Sequence, residues 1–207
     1  MRKVLIGVAI SCVAMLLIPV QGNAAKSGIK LQPSAGRFVG DEFKPVGNGQ
    51  DAQAQWTNKQ ALDGKFSVLL EKSVPTSSPA FAAASVDGVE GLTVAELGNI
   101  GFSVNGNCGG GSPRFNLYYD NNGDGEADGV AFYGCGNHTS GMPAPGWTSM
   151  MADASAPDSE NPYGGEGPLT DASVVTSLSV LVDEQGTYYI DRVEAAGLTT
   201  GEPNGGN

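Results

Sequence analysis

The densest collection of oxygen ligands in the chain is the run Asp120-Asn121-Asn122-Gly123-Asp124-Gly125-Glu126-Ala127-Asp128. Its pattern is D-x-N-x-D-G-x-x-D. Calcium takes six to eight hard oxygen ligands in flexible geometry. Alternate side chains Asp120, Asn122 and Asp124 can converge when such a loop curls around an ion. Gly125 permits the sharp turn, Glu126 offers its carbonyl, and Asp128 closes the ring directly or through water. The competing reading is a solvated turn, since Asn, Gly and Asp are common there anyway. Carboxylates crowded into nine residues repel one another without a cation, which favours calcium, at the millimolar strength of extracellular modules.

A second constellation lies just before this loop. In PRFNLYY, strand alternation turns Phe115, Leu117 and Tyr119 one way and Arg114, Asn116 and Tyr118 the other. The first set reads as core. The second puts a guanidinium, an amide and a phenol on one face, groups that hydrogen-bond vicinal hydroxyls and stack under the C–H face of a sugar. The partner strand adds Tyr133 or Phe132, depending on register. The plainer reading has Arg114 and Asn116 satisfying neighbouring carbonyls. Trp56 and Trp147 are further stacking candidates, though aromatics at strand starts more often pack. Met142, Met150 and Met151 read as gap fillers. Catalysis is not expected. His138 is the single histidine, no G-x-S-x-G elbow occurs, and scattered acids such as Glu90, Glu96, Asp158, Glu160 and Glu166 do not pair by spacing.

These groups need a scaffold, and the flanking residues describe one. PRFNLYY and GVAFYG read as the two strands of a hairpin with the acidic loop as its turn. Cys108 and Cys135 stand at its two ends. Of the three cysteines, Cys12 falls in the apolar N-terminal run Val4–Val20, which follows Arg2 and Lys3 and precedes a small-residue cleavage site at Ala24-Ala25. Residues 1–25 therefore read as a secretory signal. In an exported chain the remaining pair is expected to form a disulfide, worth roughly 3 kcal/mol on chain-entropy grounds. Loss of the signal takes the formal charge from −11 to −13. That charge argues against nucleic acid and anionic membrane as partners.

Residues 26–55 are rich in Gly, Pro and Gln and read as a flexible arm with a short strand at 36–39. Strands are expected around Phe66–Leu70, Phe81–Val86, Ile100–Val104 and Trp147–Met151. Thr93 and Glu96 form a capping box for a short helical turn. Val174, Thr176, Leu178, Val180 and Val182 alternate. Glu184-Gln185-Gly186 then turns into a last hairpin strand bearing Tyr188, Ile190 and Val193. Residues 56–198 form the domain, an all-β sandwich or jelly roll, and 199–207 read as a disordered tail.

Several segments carry resemblances. ALDGKFSVLLEKS, PGWTSMMADA and GTYYIDRVEAAG resemble the first, Trp-bearing and closing strands of jelly-roll carbohydrate-binding modules. That resemblance implies a galactose-binding-like sandwich, and it places Asp191 where such modules hold a structural calcium. The acidic loop is not an EF-hand, because position twelve is Ala131; it resembles one calcium loop of a thrombospondin type 3 repeat. CGGGSPRFNLYY resembles a segment of uncharacterised secreted bacterial proteins. The expectation is a secreted, non-catalytic, calcium-stabilised β-sandwich that binds carbohydrate or another extracellular polymer. The alternative is a structural or adhesive protein without a small ligand.

Overall fold

The structure, a computed structural model, describes residues 28–39, 42–163 and 165–203. The expected signal segment and residues 204–207 lie outside that range. Two antiparallel sheets stack into a β-sandwich. The first, sheet A, runs in the order β11 (Ser159–Pro162), β8 (Gly129–Gly134), β7 (Arg114–Asp120), β12 (Val174–Val182), β5 (Ala80–Asp87), β1 (Lys30–Val39) and β2 (Glu42–Pro45). The second, sheet B, runs β3 (Ala52–Thr57), β4 (Ser67–Lys72), β13 (Gly186–Ala195), β6 (Asn99–Asn105), β10 (Trp147–Asp153) and β9 (Thr139–Gly141), with β14 (Leu198–Thr200) also paired to β13. Among the described residues no helix is long and apolar enough to cross a membrane.

Strand alternation builds the core. Ala82, Ala84 and Val86 of β5, Phe115, Leu117 and Tyr119 of β7, and Leu178, Val180 and Val182 of β12 face inward from sheet A. Val68, Leu70, Ile100, Phe102, Val104, Tyr188 and Ile190 meet them from sheet B. Phe102 and Phe115 bridge the layers edge-to-face at 5.2 Å between ring centroids, a preferred aromatic arrangement. The capping box forms as expected. Thr93 Oγ1 accepts from the Glu96 amide and Glu96 Oε2 accepts from the Thr93 amide, starting the short helix α1 (Val94–Leu97). The Cys108–Cys135 disulfide is present at the base of the β7–β8 hairpin, with a Cα separation of 5.2 Å.

Four expectations are corrected. Within the expected arm, the described residues supply β1, β2 and most of β3, and the short strand expected at 36–39 is the end of β1. The ten-residue β1 pairs with β5 and buries Leu31 and Ala35. Its Pro33 and Gly36 obscured a strand that needs few large apolar residues. The boundary drawn at residue 199 cuts through β14, whose Thr200 is buried. The last two long strands are not a hairpin. β12 lies in sheet A and β13 in sheet B, so the 183–185 turn arches from one layer to the other. Both strands point apolar residues into the same core, so alternation alone does not distinguish an arch from a hairpin. Finally, Met142 fills no gap and is 83% exposed, while Met150 is buried as expected.

Candidate functional site

The outward face of sheet A is built from residues that alternate with the core. On β5 these are Phe81, Ala83 and Ser85. On β12 they are Ser177 and Ser179, and on β7 Arg114, Asn116 and Tyr118. A β-bulge between Val175 and Ser177 resets the phase of β12. The inward residues are therefore Val175, Leu178, Val180 and Val182, with Val174 and Thr176 only half-buried. The uninterrupted alternation expected over Val174–Val182 is thus broken, and Ser177 lands opposite Tyr118 on the outer face.

The strand registers align residues into rows across the sheet. One row runs Phe132–Asn116–Ser179–Ser85–Gln32, and the next runs Arg114–Leu181–Ala83–Ser34. Of these rows Ser179, Ser85, Ala83 and Ser34 help to floor a cleft of about 700 Å³, within the usual size of ligand sites. Ser34, Phe81, Ala83, Ser85, Ser177 and Ser179 line its length. Tyr118, Ala127 and Tyr163 line one end, and Pro45 lies on the β2 side. The cleft crosses β7, β12, β5, β1 and β2, four steps of about 4.8 Å or roughly 19 Å in all. Small side chains keep the floor low. At its base, Phe81 lies against Gly36, where a Cβ would come within 2.6 Å of the ring. None of the described lining residues carries a carboxylate, an imidazole or a cationic group.

Tyr118 alone of the three expected ligand residues lines this cleft. Burial first, then the neighbouring Tyr163, pushes its phenol up to about 12 against partial relief from Asn116 and Arg114. It stays a neutral phenol at physiological pH. Asn116 is buried beside Tyr118 on the same face and eases its phenol downward. Arg114 stands one residue further back. Its Nη1 and Nη2 hold the Asp183 carboxylate at 2.8 Å each, Nη1 donates to the Gly111 carbonyl, and Nε donates to Asn116 Oδ1 at 3.0 Å. The guanidinium also lies 5.6 Å from the centroid of Phe132. So the expected face is assembled, but Arg114 and Asn116 support Tyr118 from behind. Trp56 packs on the core and Trp147 is buried, and neither lines the cleft.

The acidic loop closes on its own backbone. Asp120 accepts from the amides of Asn122, Gly123 and Gly125 at 2.6–2.9 Å. Those contacts, Gly123 first, hold its carboxyl below the usual range. Gly123 and Gly125 take φ of +82° and +85°, which glycine adopts freely. Asp128 accepts from the amides of Asn121 and Asn122. Asn122 Oδ1 accepts from the Asp124 amide, and Asp124 from the Glu126 amide. Backbone N–H groups thus relieve the crowding for which a cation was invoked. Among the described residues no three His, Cys, Asp or Glu side chains are grouped as a metal site needs. As folded, the loop's carboxylates are held by backbone amides.

The remaining candidates have structural partners. Asp191 is buried and accepts from the amides of Leu62, Asp63 and Arg192. It thereby pins the 62–63 turn to the closing strand. His138 Nε2 stands 3.1 Å from Asp158, and Asp158 also accepts from the Gly134 amide at 2.7 Å. Lys72, buried to 1% exposure, donates from Nζ to the carbonyls of Thr76, Ser78 and Asp183. The serine floor is not apparent from the sequence. Its only local signal is Ser177 and Ser179 alternating with Leu178 and Val180.

No protein-family model matches the chain, and no curated protein matches it. Among solved structures it is similar to a family 11 carbohydrate-binding module from Clostridium thermocellum, in complex with a β-1,3-1,4-mixed-linked tetrasaccharide. That alignment has 12% identity, covers 83% of this chain and 96% of the other, and has a TM-score of 0.47. A family 30 carbohydrate-binding module aligns at 15% identity over 84% and 96% of the two chains, with a TM-score of 0.46. A xylan-binding domain of family 22 aligns at 15% identity over 80% and 88%, with a TM-score of 0.35.

Proposed function

We propose that this protein is an exported, non-catalytic module that holds a neutral, unbranched stretch of polysaccharide in the cleft across sheet A. One observation carries the reading. The floor interleaves hydroxyls (Ser34, Ser85, Ser177, Ser179) with apolar surface (Phe81, Ala83), and two tyrosines stand at one end. A pyranose chain has the same alternation, with hydroxyl edges and C–H faces, and tyrosine offers both a plane and a hydrogen-bonding tip. The uncharged lining favours a neutral ligand, and its lack of carboxylates supports holding over hydrolysis, which needs a carboxylate pair. The disulfide supports an oxidising, extracellular location.

The test is titration calorimetry against soluble mixed-linkage β-glucan, xylan, mannan and polygalacturonate oligosaccharides. Ser179→Trp serves as a blocked cleft, since its side chain projects outward and leaves the core intact. Saturable binding of a neutral oligosaccharide, lost in Ser179→Trp, is expected. Silence across the panel, or binding indifferent to Ser179→Trp, refutes the proposal and favours a structural or adhesive protein without a small ligand.

Calcium at Asp120, Asn122, Asp124, Asp128 and the Glu126 carbonyl is a separate proposal, supported by composition and opposed by the closed hydrogen bonding. Native-state binding of calcium would raise the melting temperature. An unchanged melting temperature between millimolar calcium and EDTA rejects it.

A further inference from the structure

The acidic loop has a use that does not depend on a metal. Its two ends clip a second loop onto the cleft. At one end the Asp128 carbonyl accepts from the Tyr163 amide, 2.5 Å away. At the other end Asn121 reaches across. Its Nδ2 lies 3.1, 3.2 and 3.2 Å from the carbonyl oxygens of Glu166, Gly167 and Pro168, so its two N–H groups are shared among them. Asn121 Oδ1 accepts from Ser173 Oγ at 2.5 Å, and Ser173 is itself buried. Residues 163 and 166–168 are thus fastened to residues 128 and 121, while Ala127 and Tyr163 both line the same end of the cleft. Other contacts help hold the segment: β11 pairs with β8 up to Pro162, the Glu166 amide donates to the Tyr163 carbonyl, Tyr119 Oη donates to Gly167 O at a long 3.4 Å and Leu169 N donates to Glu160.

We propose that Asn121 is a positioning residue for ligand capture, which acts by holding the Tyr163 segment in place as the aromatic end of the cleft. The inference rests on the cleft being a glycan site. Asn121 does not line the cleft, so its effect on binding passes through Tyr163.

The test is a double-mutant cycle on the whole mature chain, with the four oligosaccharides named above as probes. Tyr163→Ala is expected to weaken binding about tenfold, the scale of one lost aromatic contact. Asn121→Ala is expected to weaken it about five- to tenfold. The double variant should lie within about twofold of Tyr163→Ala alone, because residues acting through one another are non-additive. Ser173→Ala removes the Oδ1 contact together with the bonds of Ser173 Oγ to the Thr170 amide and hydroxyl; it leaves the Asn121 Nδ2 clip intact, should cost about twofold to threefold and guards against a misfolded Asn121 variant. Hydrogen exchange provides the structural readout. The amides of Tyr163, Glu166 and Leu169 should exchange faster in Asn121→Ala, with those of β12 unchanged. Losses that multiply in the double variant, or unchanged exchange at these amides, overturn the positioning role while leaving the cleft reading intact. Binding of no probe by the parent chain overturns both.

Discussion

Arg114 separates two accounts of this surface, and replacing it by alanine decides between them. If Arg114 touches ligand, its loss should abolish binding and leave stability nearly unchanged. The structure assigns it a different task. It forms a bidentate pair with Asp183, donates to Gly111 and Asn116, and lies over Phe132. Side-chain exposures of 15% and 28% place the pair between the surface and interior cases. Surface pairs contribute about 0–1 kcal/mol, whereas breaking a buried pair costs about 3–5 kcal/mol, so about 2 kcal/mol is reasonable here. The bonds to Gly111 and Asn116 add about 1 kcal/mol more. A total near 3 kcal/mol corresponds to a fall in melting temperature of roughly 6–12 °C for a domain of this size. Ligand affinity should fall only severalfold, as Asn116 and then Tyr118 relax. Urea unfolding of Arg114→Ala, Asp183→Asn and the double variant measures the loss, and the pair should show a coupling energy of about 1.5–2 kcal/mol. Loss of binding with a stability change under about 1 kcal/mol would refute this reasoning and restore Arg114 as a ligand contact.

Two further outcomes test the scaffold. Replacing Cys108 and Cys135 together by serine should cost about 3 kcal/mol in urea unfolding, from the freed loop. The untreated, unfolded parent should show no titratable thiol from this pair, and two free thiols would remove the disulfide. When ionised, the carboxyls of Asp120, Asp153 and Asp158 should all favour the folded state, and acid should remove that contribution. Asp120 is lowered by the Gly123, Gly125 and Asn122 amides, and Asp153 by Ser155. At Asp158 burial pushes upward but is outweighed by Asn137, the Gly134 amide and His138. A lowered carboxyl gives stability above its unfolded value, about pH 4, and loses it as pH falls through the folded value. Asp191 has the opposite sign. Burial raises it more than the Asp63, Arg192 and Leu62 amides lower it, so its protonation favours the folded state. The urea midpoint should therefore hold level from pH 7 to about 5 and fall below about pH 4. Asp120→Asn should flatten that acid limb, and an acid limb of unchanged slope would contradict the amide contacts as its source.

What the sequence made legible was local. The β7–β8 hairpin, the Cys108–Cys135 pair, the Thr93–Glu96 capping box, the strands β4 and β6 and the core face of β7 each follow from spacing within a few residues or from cysteine count. What it hid depends on pairing across distance. Arg114 meets Asp183 69 residues away, and no residue near Arg114 in the sequence signals that ion pair. The cleft floor joins Ser34, Ser85 and Ser179 from three strands, and each serine alone reads as an ordinary polar position. The bulge between Val175 and Ser177 breaks the phase of β12, so simple alternation misassigned Val174 and Thr176 while Leu178, Val180 and Val182 face inward as expected. Beyond the strand expected at 36–39, β1 was hidden because small residues suffice where it packs beside the alanines of β5. The acidic loop was legible as chemistry, but its carboxylates are satisfied by amides that a sequence does not show.

The central claim is that ligand lies across sheet A. The most direct measurement is a map of amide chemical-shift changes in the labelled protein on titration with the tightest-binding neutral oligosaccharide. The account predicts changes concentrated at Ser34, Ser85, Tyr118, Tyr163, Ser177 and Ser179, saturating at one ligand per chain. Changes confined to sheet B or to the 58–66 loop, with the serine rows unmoved, would contradict it.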